Sequence, residues 1–441
     1  MSTEEPGPAE LAEARRALRA VKATAGSGPD LLSGRHLHAL VRCGDPATEA
    51  ELVAAYVKYA RAFAAGACPS PDPAVRSVLG AVKLAPIPKG PDGHRAVVVP
   101  SLASRVAGRA VARAGTQEVA ASLLAADQYA VGVASGLERM VQGVRDALQA
   151  GRAVAVLDRR QAYQSASRAR MLAALEEMGA QAVCPAFAAR YSDPIAIDGL
   201  GAAAVEGVVQ GDAIAPVAFG CLQAAQTRRL RADATLRQLF DDGARVFSYL
   251  DDVVLTAPDA DGLERLIAAL EADDATLDLA LNANKCSANV PLRGWRNFAD
   301  AGGVVVLGTP LGTDDFIRAH ADATVAKAGR VESAIVAAPL PEHDRHLLFT
   351  KCGTHPRLVH LLRTTPPRLL DRALQAADAA TRASLAALLK TDVGGVPEWA
   401  FLPARLGGLG ISTLASTAAP AFVAGSIAAR ERMLGASSIE Y

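Results

Sequence analysis

Apolar positions recur at helical spacing through both ends of the chain and fall into short strand-like runs only in its middle. A helical period runs from Leu11 to about Thr24, until Gly26, Gly28 and Pro29 break it; residues 1–9 are polar and read as disordered. Residues 30–66 continue as helices, with Asp45-Pro46 as a break and capping site, and Cys68-Pro-Ser-Pro-Asp-Pro73 is a loop and a boundary. Val82–Ile87 and Ala96–Val99 predict two short strands around the turn Lys89-Gly-Pro-Asp-Gly93. Helix is predicted from about Ser101 to Ala126, a fully apolar strand over Ala153–Leu157, and helices over Arg168–Met178 and Ile214–Leu230. Val246–Leu255 reads as two strands bent around a pair of acids, Leu263–Leu281 as a helix and Val304–Leu307 as a strand. Beyond about Asp322 the pattern is helical. Strands mixed with helices in the middle and helices at both ends predict an α+β architecture.

Composition narrows this picture. The 441 residues are 51% hydrophobic and 21% charged, enough for a sizeable core and too apolar for global disorder. Aromatics are only 4% and much of the apolar count is alanine, which predicts a core of many thin helices with small contacts. The 46 basic and 46 acidic side chains cancel, so bulk charge announces no polyanionic partner, and any such contact requires basic residues segregated locally. Six scattered cysteines with no C-x-x-C pair predict reduced thiols in an intracellular protein, cytoplasmic or nuclear. The acidic N-terminus carries no secretory pattern, and no apolar run reaches the roughly 18 residues of a membrane span, so no membrane partner is expected.

The candidate chemistry lies in Val246-Phe-Ser-Tyr249-Leu-Asp251-Asp252-Val-Val-Leu255. Two adjacent carboxylates interrupt an apolar, β-branched run, and burying either unpaired would cost several kcal/mol. A tight hairpin that lifts both acids into a cleft resolves the conflict, the more so with a divalent cation. Taken alone, the segment reads equally as a surface hairpin with a solvated Asp-Asp turn. Asp158 ends the strand Ala153–Leu157 in the same way and, alone, is an ordinary cap or turn residue. Together, three carboxylates at strand ends are what two-metal phosphoryl transfer requires.

Several segments then resemble one family in order along the chain. Tyr249-Leu-Asp251-Asp252 resembles the Y-x-D-D box of reverse transcriptases, and Asp158-Arg-Arg-Gln-Ala162-Tyr163 their D-x-x-x-A-[FY] motif. Gly207-Val-Val-Gln210-Gly211-Asp212-Ala-Ile-Ala-Pro216 is similar to the Q-G-D-P-L-S-P box of non-LTR retrotransposon and group II intron enzymes. Leu281-Asn282-Ala-Asn284-Lys285-Cys286 resembles the L-N-x-x-K-C motif, and Leu307-Gly308-Thr-Pro310-Leu-Gly312 the primer grip. Upstream, Leu84-Ala-Pro-Ile-Pro88-Lys89 with His94-Arg95 resembles the fingers motif, and Gln128, Gly132 and Gly136 the stretch before the first acid. Two departures stand out: Arg159 and Arg160 follow the first acid where the family carries a hydrophobic residue first, and Asp212-Ala-Ile-Ala-Pro216 lacks the box's first proline and its serine.

The resemblance implies a right-hand polymerase: helical N-terminal extension over 1–75, fingers and palm (an antiparallel sheet with helices) over 76–315, helical thumb over 316–395 and C-terminal helical appendage over 396–441. It implies RNA-directed DNA synthesis, with two Mg²⁺ (Mn²⁺ as the alternative) on Asp158, Asp251 and Asp252, and an RNA template, a DNA or RNA primer and dNTPs as partners. Lys83, Lys89 and Arg95 would take the triphosphate, arginine because its planar fork matches phosphate. Tyr163 would exclude a ribose 2′-OH, Gln210 and Gly211 would line the nucleotide, and Lys285 would protonate pyrophosphate as a general acid. Gly308 and Gly312 fit a turn under the primer end. The rival readings are an RNA-dependent RNA polymerase and a catalytically silent RNA-binding relative.

Basic residues do segregate. Lys83, Lys89, Arg95, Arg105, Arg109 and Arg113 face one acid, Asp92, over residues 83–113. Arg345, Lys351, Arg357, Arg363 and Arg368 cluster in the proposed thumb, where Arg357 and Arg363 are candidate primer–template contacts. His343-x-x-His346 and Cys352-x-x-His355 have only a loose zinc-like spacing, and Gly407-Gly-Leu-Gly410 follows no strand and reads as a turn. No segment suggests an RNase H, an endonuclease or a zinc knuckle, which leaves those activities to a partner protein or to no one.

Overall fold

A computed structural model describes residues 5–68, 72–88 and 93–430. Among the described residues eleven strands run in chain order: β1 (Val82–Pro88), β2 (His94–Pro100), β3 (Ala153–Leu157), β4 (Ile195–Ile197), β5 (Ala202–Ala204), β6 (Arg245–Tyr249), β7 (Asp252–Ala257), β8 (Ser287–Ala288), β9 (Arg296–Asn297), β10 (Gly303–Val306) and β11 (Thr309–Gly312). They form a four-stranded sheet in the order β2-β1-β4-β5, a five-stranded sheet in the order β6-β7-β3-β8-β9 and the hairpin β10-β11. The remainder is mostly helical, so the expected α+β class holds.

The chain divides into two compact units: Met1–Val133, Leu157–Leu255 and Glu264–Ala283 form the first, and Ala134–Val156, Thr256–Leu263 and Asn284–Tyr441 the second. In the first unit, β1 and β2 pair antiparallel from Val82 opposite Pro100 to Pro88 opposite His94, and β4 joins β1 in parallel at Ile197 opposite Val82. The main core of this unit gathers Met171, Leu175, Phe187, Ile214, Phe219 and Leu222. Helix Ala215–Ala232 is buried on nearly every face, which explains why its sequence shows little amphipathic period. A separate core packs Leu18, Leu37, Val53 and Tyr56 under Leu102 and Val106. Large side chains supply more of the first unit's centre than the alanine-rich composition predicts.

The second unit is built on long helices, Asp314–Ala337, Thr354–Thr364 and Asp371–Leu389, packed around Leu358, Leu362, Leu370 and Leu374. Its β10-β11 hairpin turns through Leu307 at φ 48 and Gly308 at φ 78. Two successive positive φ angles define the tight turn whose twist suits a hairpin.

Several boundaries differ from the sequence pattern, each for a local reason. The first helix spans Pro8–Arg19, not Leu11 to Thr24, because Glu10 reaches back to the Gly7 N–H at 3.0 Å and starts it early. Residues 8 and 9, expected to be disordered, are thus helical. The helix expected over Leu263–Leu281 is Ala260–Thr276; Asp278 adopts φ 60, and Leu277 and Leu279 turn into the core instead. Strand β5 has no sequence signal, since Ala202-Ala-Ala204 carries no β-branched or aromatic residue.

Candidate active site

The acidic turn is where the sequence places it. β6 and β7 are joined by Leu250 and Asp251 alone, and Leu250 adopts φ 55, a left-handed conformation uncommon for leucine. Asp251 and Asp252 are exposed while Val246, Phe247, Val253, Val254 and Leu255 on either side are buried, so the turn lifts both acids clear of the core. Ser248 exchanges main-chain hydrogen bonds with the segment before it in sequence: its N–H donates to the Asp127 carbonyl and its carbonyl accepts from Tyr129, both at 2.9 Å. This fixes the strand leading into the turn against Gln128, whose side-chain oxygen accepts from the Ala130 and Val131 N–H groups at 2.6 and 3.2 Å.

Asp158 follows β3, the strand next to β7 in the sheet. Its carbonyl accepts from the Asn282 N–H at 2.8 Å, and the Arg160 N–H donates to the Ala280 carbonyl at 2.9 Å. The Leu281-Asn282 motif therefore pairs as a short ladder with the segment that carries the first acid. Arg159, the departure from the family pattern, turns inward. Its guanidinium donates to both carboxylate oxygens of Asp274 at 2.9 and 2.7 Å and to Gln226 at 2.8 Å, with both charged side chains almost fully buried. Arg159 is thus committed to Asp274.

Tyr163 lies five residues beyond Asp158, buried, with its ring stacked on Phe219 at 4.7 Å between centroids and 12° between planes. Burial raises its hydroxyl pKa, and the Asp251 carboxylate raises it further. Leu250 of the acidic turn packs against the same core as Tyr163, which brings the Asp158 segment and the turn to one place.

The Gln210 loop closes the third side. The Val208 N–H donates to the Tyr163 carbonyl at 2.6 Å, and the Val98 N–H of β2 donates to the Gln210 carbonyl at 2.7 Å. Gly211 sits at φ 113, and a Cβ there would lie 2.1 Å from the Val98 carbonyl oxygen. Glycine is required by both conformation and space. The Gln210 side-chain oxygen is buried without a hydrogen-bond partner. Lys83 and Arg95 are exposed on the β1-β2 hairpin, opposite Val99 and Ile87 respectively. Lys89 lies outside the described residues.

The remaining predicted residues belong to the second unit. Lys285 is exposed just ahead of β8. Gly308 packs under His360, whose ring nitrogen lies 3.2 Å from the Thr309 hydroxyl, and a Cβ on Gly312 would meet the Gly302 carbonyl oxygen at 2.2 Å. Arg363 is paired with Glu138 at 2.6 Å, Arg357 donates to the Cys352 carbonyl at 2.8 Å, and Arg368 pairs with Asp314 at 3.1 Å. These arginines brace helices as well as carrying charge.

Sequence reasoning passed over the buried acid Asp127 and gave Asp212, named only within its box, no role. Asp127 accepts from Arg231 at 2.5 Å, from Tyr129 at 2.8 Å and from Arg245, and it anchors the strand β6. Asp212 accepts from Arg190 at 2.7 Å and Tyr191 at 3.2 Å. Neither is distinguishable by spacing, since their partners are distant in sequence.

The strand-end acid Asp158, the acidic turn, the Tyr163 ring and the glycine-dependent Gln210 loop are thus carried by segments of the first unit. A family model described as reverse transcriptase (RNA-dependent DNA polymerase) matches residues 87–311, a little over half of the chain. The chain belongs to the reverse transcriptase family, whose members are nucleotidyltransferases. No curated protein matches the sequence. Among solved structures, the chain is similar to telomerase from Candida albicans in complex with a TWJ fragment of telomeric RNA, at 13% identity and a TM-score of 0.41 over 74% of this chain and 62% of that one. Telomerase from Candida tropicalis, likewise with a TWJ fragment of telomeric RNA, matches at 12% identity and a TM-score of 0.42 over 71% and 55%. The apo form from Candida tropicalis truncated from its C-terminal domain matches at 12% identity and 0.39 over 53% of each chain. The chain thus spans between 53% and 62% of the length of these three structures.

Proposed function

We propose that this chain extends a DNA or RNA primer with dNTPs on an RNA template. The observation that carries this reading is that Leu250 of the acidic turn packs against the same core as Tyr163 of the Asp158 segment, whose carbonyl accepts from Val208 of the Gln210 loop. The primer 3′ oxygen bonds to the α-phosphorus as the bond from that phosphorus to the bridging oxygen breaks, pyrophosphate leaves, and the 3′-OH proton passes to water. Positioning and charge account for most of the acceleration.

Asp158, Asp251 and Asp252 are the proposed metal ligands. Their hard oxygen donors suit Mg²⁺, with Mn²⁺ as the alternative. Among the described residues, no group of three or more His, Cys, Asp or Glu side chains is gathered closely enough to hold an ion alone. In Mg²⁺ sites one or two carboxylates and the substrate phosphates commonly share the ion, so bound triphosphate would complete the coordination. When bound, two such ions would neutralise charge on the phosphates and on the oxygens that attack and leave.

In this reading Lys83, Lys89 and Arg95 bind the triphosphate, Tyr163 bars a ribose 2′-OH, and Gln210 and Gly211 shape the nucleotide's other side. Lys285 delivers a proton to pyrophosphate, Gly308 and Gly312 support the primer end, and Arg357 and Arg363 lie on the primer–template path. Residues 76–315 act as fingers and palm, 316–395 as thumb, and the flanks as helical additions; a partner protein would supply any endonuclease. No helix among the described residues is long and apolar enough to cross a membrane, and the six free cysteines support a reducing, intracellular workplace. Primer extension on RNA and DNA templates, with dNTPs against rNTPs, tests the proposal. Extension by wild type with dNTPs on RNA, lost in Asp251→Ala, is expected. A preference for rNTPs would indicate an RNA polymerase, and identical behaviour of wild type and Asp251→Ala a silent relative.

A further inference from the structure

Arg168 stands at the start of helix Arg168–Met178, five residues after Tyr163. Its guanidinium has five N–H donors, and all of them end on main-chain carbonyls. Nε donates to Gly207 at 2.7 Å; one terminal nitrogen donates to Tyr191 and Asp193 at 3.3 and 3.1 Å, and the other to Ala204 and Glu206 at 2.8 and 3.4 Å. The guanidinium also lies over the Tyr191 ring, 5.3 Å from its centroid. The segment's own sequence, Gly-Leu-Gly-Ala-Ala-Ala-Val-Glu-Gly over 199–207, offers little to fix it.

Beyond the clamp the chain is held at every step. Gly207, at φ 57, leaves no room for a Cβ, which would lie 2.2 Å from the Gln164 carbonyl carbon and 2.3 Å from the Tyr163 carbonyl oxygen. Val208 bonds to Tyr163, Gln210 to Val98, and Asp212 to Arg190 and to the hydroxyl of the same Tyr191 that Arg168 covers. Arg168 and Tyr191 therefore bracket both ends of the loop that carries Gln210 and Gly211, and they reference that loop to the main chain of Tyr163.

We infer that Arg168 is a positioning residue that sets the gap between Tyr163 and the Gln210-Gly211 loop, and so sets the affinity for the incoming nucleotide and the choice between deoxyribose and ribose. This rests on the polymerase reading. Release of the clamp lets the loop move away from Tyr163 while leaving the acidic turn in place. A small displacement of that kind is enough to cost one or two orders of magnitude. Lysine cannot replace the clamp, because a point cation with three donors does not span five carbonyls.

The test compares full-length wild type, Arg168→Lys and Arg168→Met in primer extension, reading KM and kcat separately for a dNTP and the matching rNTP, with melting temperature as the control on folding. Arg168→Lys is expected to fold, to raise the dNTP KM about tenfold and to lower the dNTP-over-rNTP preference at least about fivefold, while kcat at saturation changes less than about threefold. Arg168→Met should shift both further. A uniform fall in kcat with KM and preference unchanged would overturn the inference, because that is the signature of a smaller folded fraction. Failure of Arg168→Lys to fold would overturn it too, by making the clamp a condition of the fold. A wild type that extends with neither nucleotide overturns the polymerase reading instead, a result distinct from either.

Discussion

Arg159 and Asp274 form a doubly hydrogen-bonded ion pair with side chains 0% and 1% exposed, one residue from the acid Asp158. The family pattern has a hydrophobic residue at position 159, so the first acid here is backed by a buried charge network in place of apolar packing. Gln226 bonds both partners, and its amide also reaches Asp273 at 3.0 Å. Removing one member leaves the other charge buried and uncompensated. Asp274→Leu is therefore expected to destabilise the chain by about 3–5 kcal/mol in urea denaturation. The double variant Arg159→Leu, Asp274→Leu should recover most of that loss, since a buried pair replaced by apolar residues is often neutral. A double variant no more stable than the worse single would show that the network does more than satisfy its own charges.

Asp251→Asn and Asp158→Asn are expected to reduce primer extension at least about a thousandfold, because each removes charge where phosphate oxygens and cations must meet. Melting temperature should hold or rise in Asp251→Asn, because Asp251 and Asp252 are adjacent like charges. Activity retained in Asp251→Asn would remove these acids from the mechanism.

Tyr163→Ala is expected to admit rNTPs and also to cost about 3 kcal/mol of stability through loss of the stack on Phe219. Tyr163→Phe separates the two effects, for it keeps the ring and removes only the hydroxyl. Incorporation ratios for dNTP and rNTP, measured at a temperature where both variants are folded, decide the matter.

Gly211→Ala should be poorly tolerated. The added Cβ would lie 2.1 Å from the Val98 carbonyl oxygen, at a φ of 113 that alanine rarely adopts. The loop must then part from β2, with an expected loss of at least about 2 kcal/mol and a weaker nucleotide KM. Gly407, also at positive φ but with open space around its Cβ position, is the control: Gly407→Ala should lose only the backbone strain of about 1 kcal/mol.

His360 supports the β10-β11 turn, with Glu138 and Arg363 as its charged neighbours. Burial holds its pKa below the ordinary 6.5, opposed by a hydrogen bond with Leu307 and by Glu138. A lowered folded pKa means that the unfolded chain binds the proton first. The contribution is fully present above the unfolded value of about 6.5 and is lost as pH falls through the folded one. Melting temperature is expected to fall between pH 7 and 5, and His360→Asn should flatten part of that slope, as followed by thermal melts across the range.

The acidic turn, the strand before Asp158, the β1-β2 hairpin and the order of motifs were all legible in sequence, because each is a local pattern. Charges interrupting a β-branched run, or glycine beside glutamine, report their own surroundings within a few residues. Arg159 shows the limit: in sequence it stands only as a departure from the family pattern, and only the packing of helix Ala260–Thr276 brings Asp274, 115 residues on, against it. Arg168 is more extreme, since its partners are main-chain carbonyls that any sequence possesses. Asp127 and Asp212 likewise depend on arginines that no spacing rule connects to them. Sequence alone therefore determined the family to which this chain belongs, because side-chain type and local strand pattern are written residue by residue. Tertiary structure decided which charges stay inside to hold the site and which remain at its surface, because burial and long-range pairing are properties of the assembled core.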